Sequence, residues 1–207
     1  MKQLFLCSYF AGVKDLFRQY ASEKQLGKHV LFIPIAGNVE EYRGYIDEAL
    51  QIFADLGFQV EVLDISACDR ETAQAKIFQS KLLYVSGGNT FYLLQELKKK
   101  QLLSLIKEQI ADGMVYVGES AGAIITAKDI DYNKLMDDKG VAAELHDTGA
   151  LNEVDFYVLP HVGEEPFVES AQSTLDTYSD QLNLLPLNNR QAVLVEGEEV
   201  KVLEENK

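Results

Sequence analysis

The sequence predicts an α/β fold, a mostly parallel sheet covered by helices. Three observations carry this reading. Continuous apolar runs such as Val30-Leu31-Phe32-Ile33 and Leu82-Leu83-Tyr84-Val85 have the character of strands buried on both faces. Tyr42, Tyr45, Ile46, Ala49, Leu50 and Phe53 recur at the helical period. The two patterns alternate along the chain, as parallel strands with helical crossovers require.

Taken in order, Leu4-Phe5-Leu6-Cys7 reads as the first buried strand, and Val13, Leu16, Phe17 and Tyr20 follow at helical spacing. Val30 to Ile33 is the second strand. The helix through Phe53 ends near Gly57, where a C-cap is expected. Phe58, Val60 and Val62 alternate as a strand does. Leu82 to Val85 runs into Gly87-Gly88-Asn89-Thr90 and a helix carrying Phe91, Leu94 and Leu97. A further helix carries Leu102, Leu103, Ile106 and Ile110, and Met114-Val115-Tyr116-Val117 is the next strand, ending at Gly118. Residues 128–153 are polar and without period, and read as loops or a hairpin. Phe156-Tyr157-Val158-Leu159 resumes strand character before Pro160-His161, and residues 166–180 read as helix. Ala192 to Val195 and Val200 to Leu203 read as a closing hairpin around Gly197. The sum is a doubly wound, flavodoxin-like sheet, whose ligands bind outside the carboxyl ends of the strands.

Composition narrows the function classes. The 207 residues are 47% hydrophobic and show no repeat, low-complexity tract or linker, so residues 1–207 read as a single domain. The net charge of −14 disfavours nucleic acid as a partner. The dense basic cluster Lys98-Lys99-Lys100 falls at a helix end, where cations complement the dipole. The start of the chain does not read as a signal peptide, and no apolar run approaches the ~20 residues that span a bilayer. A cytoplasmic protein with no membrane partner is expected. The two cysteines, Cys7 and Cys68, form no metal or disulfide pattern, and Cys7 reads as a small buried hydrophobe.

Gly118-Glu119-Ser120-Ala121-Gly122 matches the G-x-S-x-G nucleophile elbow, placed directly after a strand and before an apolar helix start, Ala123-Ile124-Ile125. The sharp turn lifts the serine hydroxyl above the sheet edge. The helix N-terminus behind it offers free N–H groups to an oxyanion. The Ser86-Gly87-Gly88-Asn89-Thr90 turn is a candidate for a second oxyanion donor, the Gly88 N–H. A serine needs a base, and the sequence holds three histidines. His29 precedes its strand, at the wrong edge of a parallel sheet. His146 lies in the polar stretch. His161 follows a strand at its carboxyl end, on the same edge as Ser120, and is the expected base.

The turn Ser86–Phe91, the Gly118–Gly122 elbow followed by Ala123, and Pro160-His161 occur in the order and spacing of the dipeptidase E (aspartyl dipeptidase) family of serine peptidases, related to class I glutamine amidotransferases. The resemblance extends from the first strand through Val195. It implies a serine peptidase with Ser120 as nucleophile, His161 as base, oxyanion N–H groups from Gly88 and Ala121, and Asn89 near the substrate. No metal or organic cofactor is implied, and the expected partner is a small peptide substrate.

Two departures from the family pattern stand out. The acid that orients the histidine is replaced by Asn189 in the stretch Leu187–Ala192, while Asp131 or Asp137, after the nucleophile, is an alternative acid, as is Glu119 beside it. After His161, Glu164, Glu165 and Glu169 stand where the family has arginines. A carboxylate side chain would meet repulsion there instead of a bidentate clamp, so N-terminal Asp substrates are disfavoured. Rival readings are a small-substrate esterase and a catalytically weak homologue that binds small molecules.

Overall fold

The computed structural model describes residues 1–206; Lys207 lies outside the described residues. Seven strands form the central sheet in the order β3-β2-β4-β5-β1-β8-β9. They are β1 (Gln3–Cys7), β2 (His29–Ile33), β3 (Gln59–Val62), β4 (Leu82–Val85), β5 (Val115–Glu119), β8 (Gln191–Glu196) and β9 (Glu199–Glu204). The pairs from β3 to β1 are parallel. The hairpin β8–β9 adds antiparallel strands at the β1 side. This is the α/β, flavodoxin-like sheet that the alternation of patterns predicts.

The strand period of two divides the apolar side chains between two cores. Along β1, Leu4 and Leu6 face one core while Phe5 and Cys7 face the other. Along β4, Leu83 and Val85 separate from Leu82 and Tyr84 in the same way. Helices α1 (Lys14–Glu23) and α2 (Gly44–Asp55) cover the second core through Phe17, Tyr20, Ala49 and Phe53. Helices α3 (Arg70–Gln79), α4 (Thr90–Lys99) and α5 (Leu103–Ala111) cover the first through Ile77, Leu94 and Ile106. Aromatic rings dominate the second core. Phe53 lies with ring centroids 5.1 Å from Phe10, 5.4 Å from Phe17 and 5.2 Å from Tyr84.

The site follows from where the helices cross over. Strands β1 and β5 are neighbours, with Cys7 opposite Glu119. After β1 the chain leaves toward the aromatic core. After β5 it enters the short helix α6 (Ala121–Ile124), whose residues join the other core. Chains diverging to opposite faces from adjacent parallel strands open a crevice at their carboxyl ends.

Two elements differ from the sequence reading, and a third stretch matches it. Helix α3 is not apparent from apolar period, because only Ala73 and Ile77 of its residues are buried; its signal is Asp69, whose side chain caps Thr72 N–H. Strand β6 (Tyr157–Leu159) does not join the main sheet but pairs in parallel with β7 (Leu184–Pro186), a short segment with no strand pattern of its own. Residues 128–153 form a long loop with tight helical turns at Asp131–Leu135 and Lys139–Val141, closed by a bridge between Asp129 and Gly149. Helix α7 (Val168–Tyr178) lies within the predicted helical segment. Among the described residues no helix is long and apolar enough to cross a membrane.

Candidate active site

Ser120 joins β5 to α6 at φ +44°, ψ −105°, backbone that L-residues rarely adopt. Its neighbours hold it there. Ser120 N–H donates to Cys7 O at 2.9 Å, and Ser120 O accepts from Ala123 N at 2.9 Å and Ile124 N at 2.8 Å. The elbow closes only because its glycines lack side chains: a Cβ on Gly122 would lie 2.2 Å from Val85 O.

His161 follows β6 and Pro160, and its own φ is +61°. Its backbone N–H donates to Ser8 Oγ at 2.8 Å. Its ring stacks on Phe167 with centroids 4.6 Å apart. Nε2 lies 3.1 Å from Ser120 Oγ, and Nδ1 lies 2.8 Å from Asn189 Oδ1. Because the asparagine oxygen only accepts, the network assigns the proton to Nδ1 and leaves the Nε2 lone pair facing Ser120. Burial pushes the imidazole pKa below the ordinary 6.5, against the Asn189 bond and the Glu164 charge, which raise it. Burial therefore favours the neutral ring.

Asn189 lies on the loop between β7 and β8. That loop packs so closely on the turn after β1 that a Cβ on Gly12 would sit 1.9 Å from Asn189 O. Asn189 N–H donates to Glu164 Oε1 at 3.3 Å, which brings one of the glutamates after His161 to the edge of the site.

The alternative acids lie elsewhere. Asp131 is half-exposed and paired with Lys134 and Lys139, which hold its carboxyl below the usual range. Asp137 is half-buried and accepts from Thr90 N at 2.7 Å and Asn133 Nδ2 at 2.8 Å; desolvation pushes its pKa up to about 6. Glu119 is buried, accepting from Phe10 N at 2.7 Å, Tyr84 Oη at 2.6 Å and Gly87 N at 3.4 Å, and burial likewise pushes it up to about 6. None of the three bonds His161. Asp137 ties the long loop to the start of α4, and Glu119 ties the 86–88 turn to the elbow.

That turn stands beside Ser120: a Cβ on Gly87 would lie 3.3 Å from Ser120 Cβ. Gly88 has φ +124°, and a Cβ there would meet the Ala36 carbonyl carbon at 2.3 Å. The N–H groups of Gly88 and Ala121 donate to no backbone acceptor among the described residues. Asn89 is committed to the turn itself. Its Oδ1 accepts from Tyr92 N at 3.0 Å and its Nδ2 donates to Asp138 O at 2.9 Å, so it caps α4 and anchors the loop.

The structure thus brings Ser120, His161 and Asn189 into one hydrogen-bonded chain and leaves Asp131 and Asp137 outside it. His29 opens β2 at the opposite sheet edge, and His146 is exposed. Sequence reading does not single out Ser8, which contacts both His161 and Asn189. Its signal is position, as the first residue beyond the carboxyl end of β1. Among the described residues no cluster of three or more His, Cys, Asp or Glu side chains is arranged to hold a metal ion.

Comparison with known proteins agrees with this architecture. The crystal structure of a candidate peptidase E protein from Listeria monocytogenes EGD-e superposes with a TM-score of 0.94 at 41% identity, covering 100% of both chains. An uncharacterized peptidase of Pasteurella multocida is 48% identical over 198 residues, 96% of this chain and 95% of that protein. Peptidase E of Nostoc sp. is 28% identical over 166 residues, 77% of this chain and 65% of that protein. The sequence profile of Peptidase family S51 matches residues 6–203. The chain belongs to Peptidase family S51.

Proposed function

We propose that the protein is a serine peptidase acting on short peptides or related small amides. The observation that carries this reading is the chain Ser120–His161–Asn189, 3.1 Å from Oγ to Nε2 and 2.8 Å from Nδ1 to Oδ1, ending on a nucleophile in strained backbone. His161 Nε2 takes the proton of Ser120 as Oγ attacks the amide carbonyl. The Gly88 and Ala121 N–H groups receive the oxyanion. The imidazolium returns its proton to the leaving amine, and water, activated by the same nitrogen, hydrolyses the acyl-enzyme.

Asn189 orients the ring but brings no charge to the imidazolium. Glu164 is the acidic group whose charge favours the protonated ring. The same glutamate, with Glu165 and Glu169, sets the expected specificity against acidic side chains at the scissile bond. A dipeptide library incubated with wild type and Ser120→Ala tests the reading. Neutral dipeptides should be cleaved by wild type alone, and faster than Asp-X peptides in kcat/KM. Cleavage that persists in Ser120→Ala would overturn the mechanism, and Asp-X peptides outrunning every neutral dipeptide would overturn the specificity.

A further inference from the structure

We propose that Ser8 is a positioning residue for this site: it holds the Asn189 amide with its oxygen toward His161, and thereby fixes the imidazole tautomer that leaves Nε2 free to accept from Ser120. The proposal rests on the reading of Ser120 as nucleophile.

The sheet puts Ser8 where this is possible. It is the first residue past β1, whose last residue pairs with Glu119 and whose carbonyl holds Ser120 N–H. Ser8 is 0% exposed, and its hydroxyl has three polar neighbours. Oγ accepts the His161 backbone N–H at 2.8 Å, donates to Asn189 Oδ1 at 2.8 Å, and lies 3.1 Å from His161 Nδ1.

A hydroxyl carries one proton and two lone pairs. The His161 N–H can only donate, so it takes a lone pair, and the Ser8 proton goes to the nearer acceptor, Asn189 Oδ1. With the amide reversed, Nδ2 would face both Ser8 and His161. The Nδ1 lone pair would then face two donors, that amide and the Ser8 hydroxyl 3.1 Å away, and can accept from only one of them. The imidazole proton would then sit on Nε2, pointing at Ser120, in the form that cannot take a proton from it. A carboxylate at position 189 accepts through either oxygen and has no wrong orientation. An asparagine does, and the Ser8 hydroxyl, donating to Oδ1 at 2.8 Å, favours the orientation in which Oδ1 serves both neighbours. The same hydroxyl also anchors His161 in its left-handed backbone, so the two effects need separating.

The experiment combines a tautomer readout with a double-mutant cycle. Two-bond ¹H–¹⁵N spectra of the full chain report which His161 nitrogen carries the proton. Wild type should show the Nδ1–H tautomer, and Ser8→Ala a mixture containing Nε2–H. Ser8→Cys, close in size with a weaker donor, should shift the same way and serves if the alanine variant folds poorly. Inactivation by a fluorophosphonate is then timed in wild type, Ser8→Ala, Asn189→Asp and the double variant. Loss of the Ser8 hydroxyl should slow labelling about tenfold or more in the wild-type background, and by less than about threefold beside Asn189→Asp. Equal factors in both backgrounds would reduce Ser8 to a backbone anchor and overturn the proposal, as would an unchanged Nδ1–H tautomer in both Ser8 variants. Absence of labelling at Ser120 in wild type would instead overturn the nucleophile reading, while the tautomer shift still decides the role of Ser8.

Discussion

At residue 189 an amide stands where a serine triad ordinarily has a carboxylate. In chymotrypsin-like enzymes, changing that acid to asparagine leaves the wrong tautomer and lowers kcat by about 10⁴. Here the bond from Ser8 addresses the tautomer, so the deficit is the missing charge. Asn189→Asp should therefore raise kcat on a reactive amide or ester, by about tenfold or more, at ~1.4 kcal/mol of barrier per tenfold. Asp131→Asn, altering a carboxyl that pairs with Lys134 and Lys139, should leave kcat within about twofold, as surface ion pairs are weak. Steady-state kinetics of the two variants check this, and a collapse in Asp131→Asn with no gain in Asn189→Asp would place the acid after the nucleophile. Glu164 offers a second test. Its charge raises the pKa of His161, whose burial lowers it below 6.5. In Glu164→Gln the midpoint of the His161 titration, followed by NMR, should move to lower pH. A move upward would contradict the assignment.

At the scale of elements, the elbow and the Gly87-Gly88 turn depend on backbone that no side chain can enter. Gly88→Ala would place a methyl 2.3 Å from the Ala36 carbonyl carbon at φ +124°. The turn must shift, withdrawing its N–H from the nucleophile, and loss of one oxyanion donor costs about 10²–10³ in kcat. The strain should also lower unfolding stability by about 1–3 kcal/mol, readable by urea titration. Stability lost with kcat unchanged would remove Gly88 from the oxyanion hole. These turns were legible in sequence because glycine and serine patterns between a strand and a helix encode their own geometry. Strands β2, β4 and β5 were legible because burial on both faces demands continuous apolar residues. Helix α3 was not, because it buries so little, and β7 was not, because its residues are only half-buried or exposed and carry no alternating pattern. Ser120 and His161 could be read from strand ends. The contact of Asn189 and Ser8 with His161 joins segments far apart in sequence and follows only from the packed sheet.

For the whole molecule, two carboxyls with no cationic partner among the described residues are withdrawn from solvent, Glu119 buried and Asp137 half-buried. Glu119 and Asp137 are both pushed up to about 6 by burial, from ordinary values of 4.5 and 3.8. Their folded-state pKa lies above the unfolded one, so the folded protein binds these protons more tightly. Their contribution therefore favours the fold in acid and is lost as pH rises from about 4 through 6. At 1.36 kcal/mol per unit, the losses are about 2 kcal/mol for Glu119 and about 3 kcal/mol for Asp137. Asp137→Asn should flatten the fall in unfolding free energy between pH 4 and pH 7, measured by urea titration at each pH. A steeper fall would contradict the burial argument. The aromatic core is the counterweight. Phe53 is fully buried among Phe10, Phe17, Phe58 and Tyr84, and Phe53→Ala should cost about 3–5 kcal/mol. Both cores converge at the carboxyl ends of β1 and β5, where Ser120 waits for His161. The direct test of that convergence is covalent. Intact-mass analysis after fluorophosphonate treatment should show one adduct per chain, mapped by peptide sequencing to Ser120 and absent from Ser120→Ala and His161→Ala. An adduct that survives Ser120→Ala, or an unreactive wild-type protein, would contradict the assignment of Ser120 as the nucleophile.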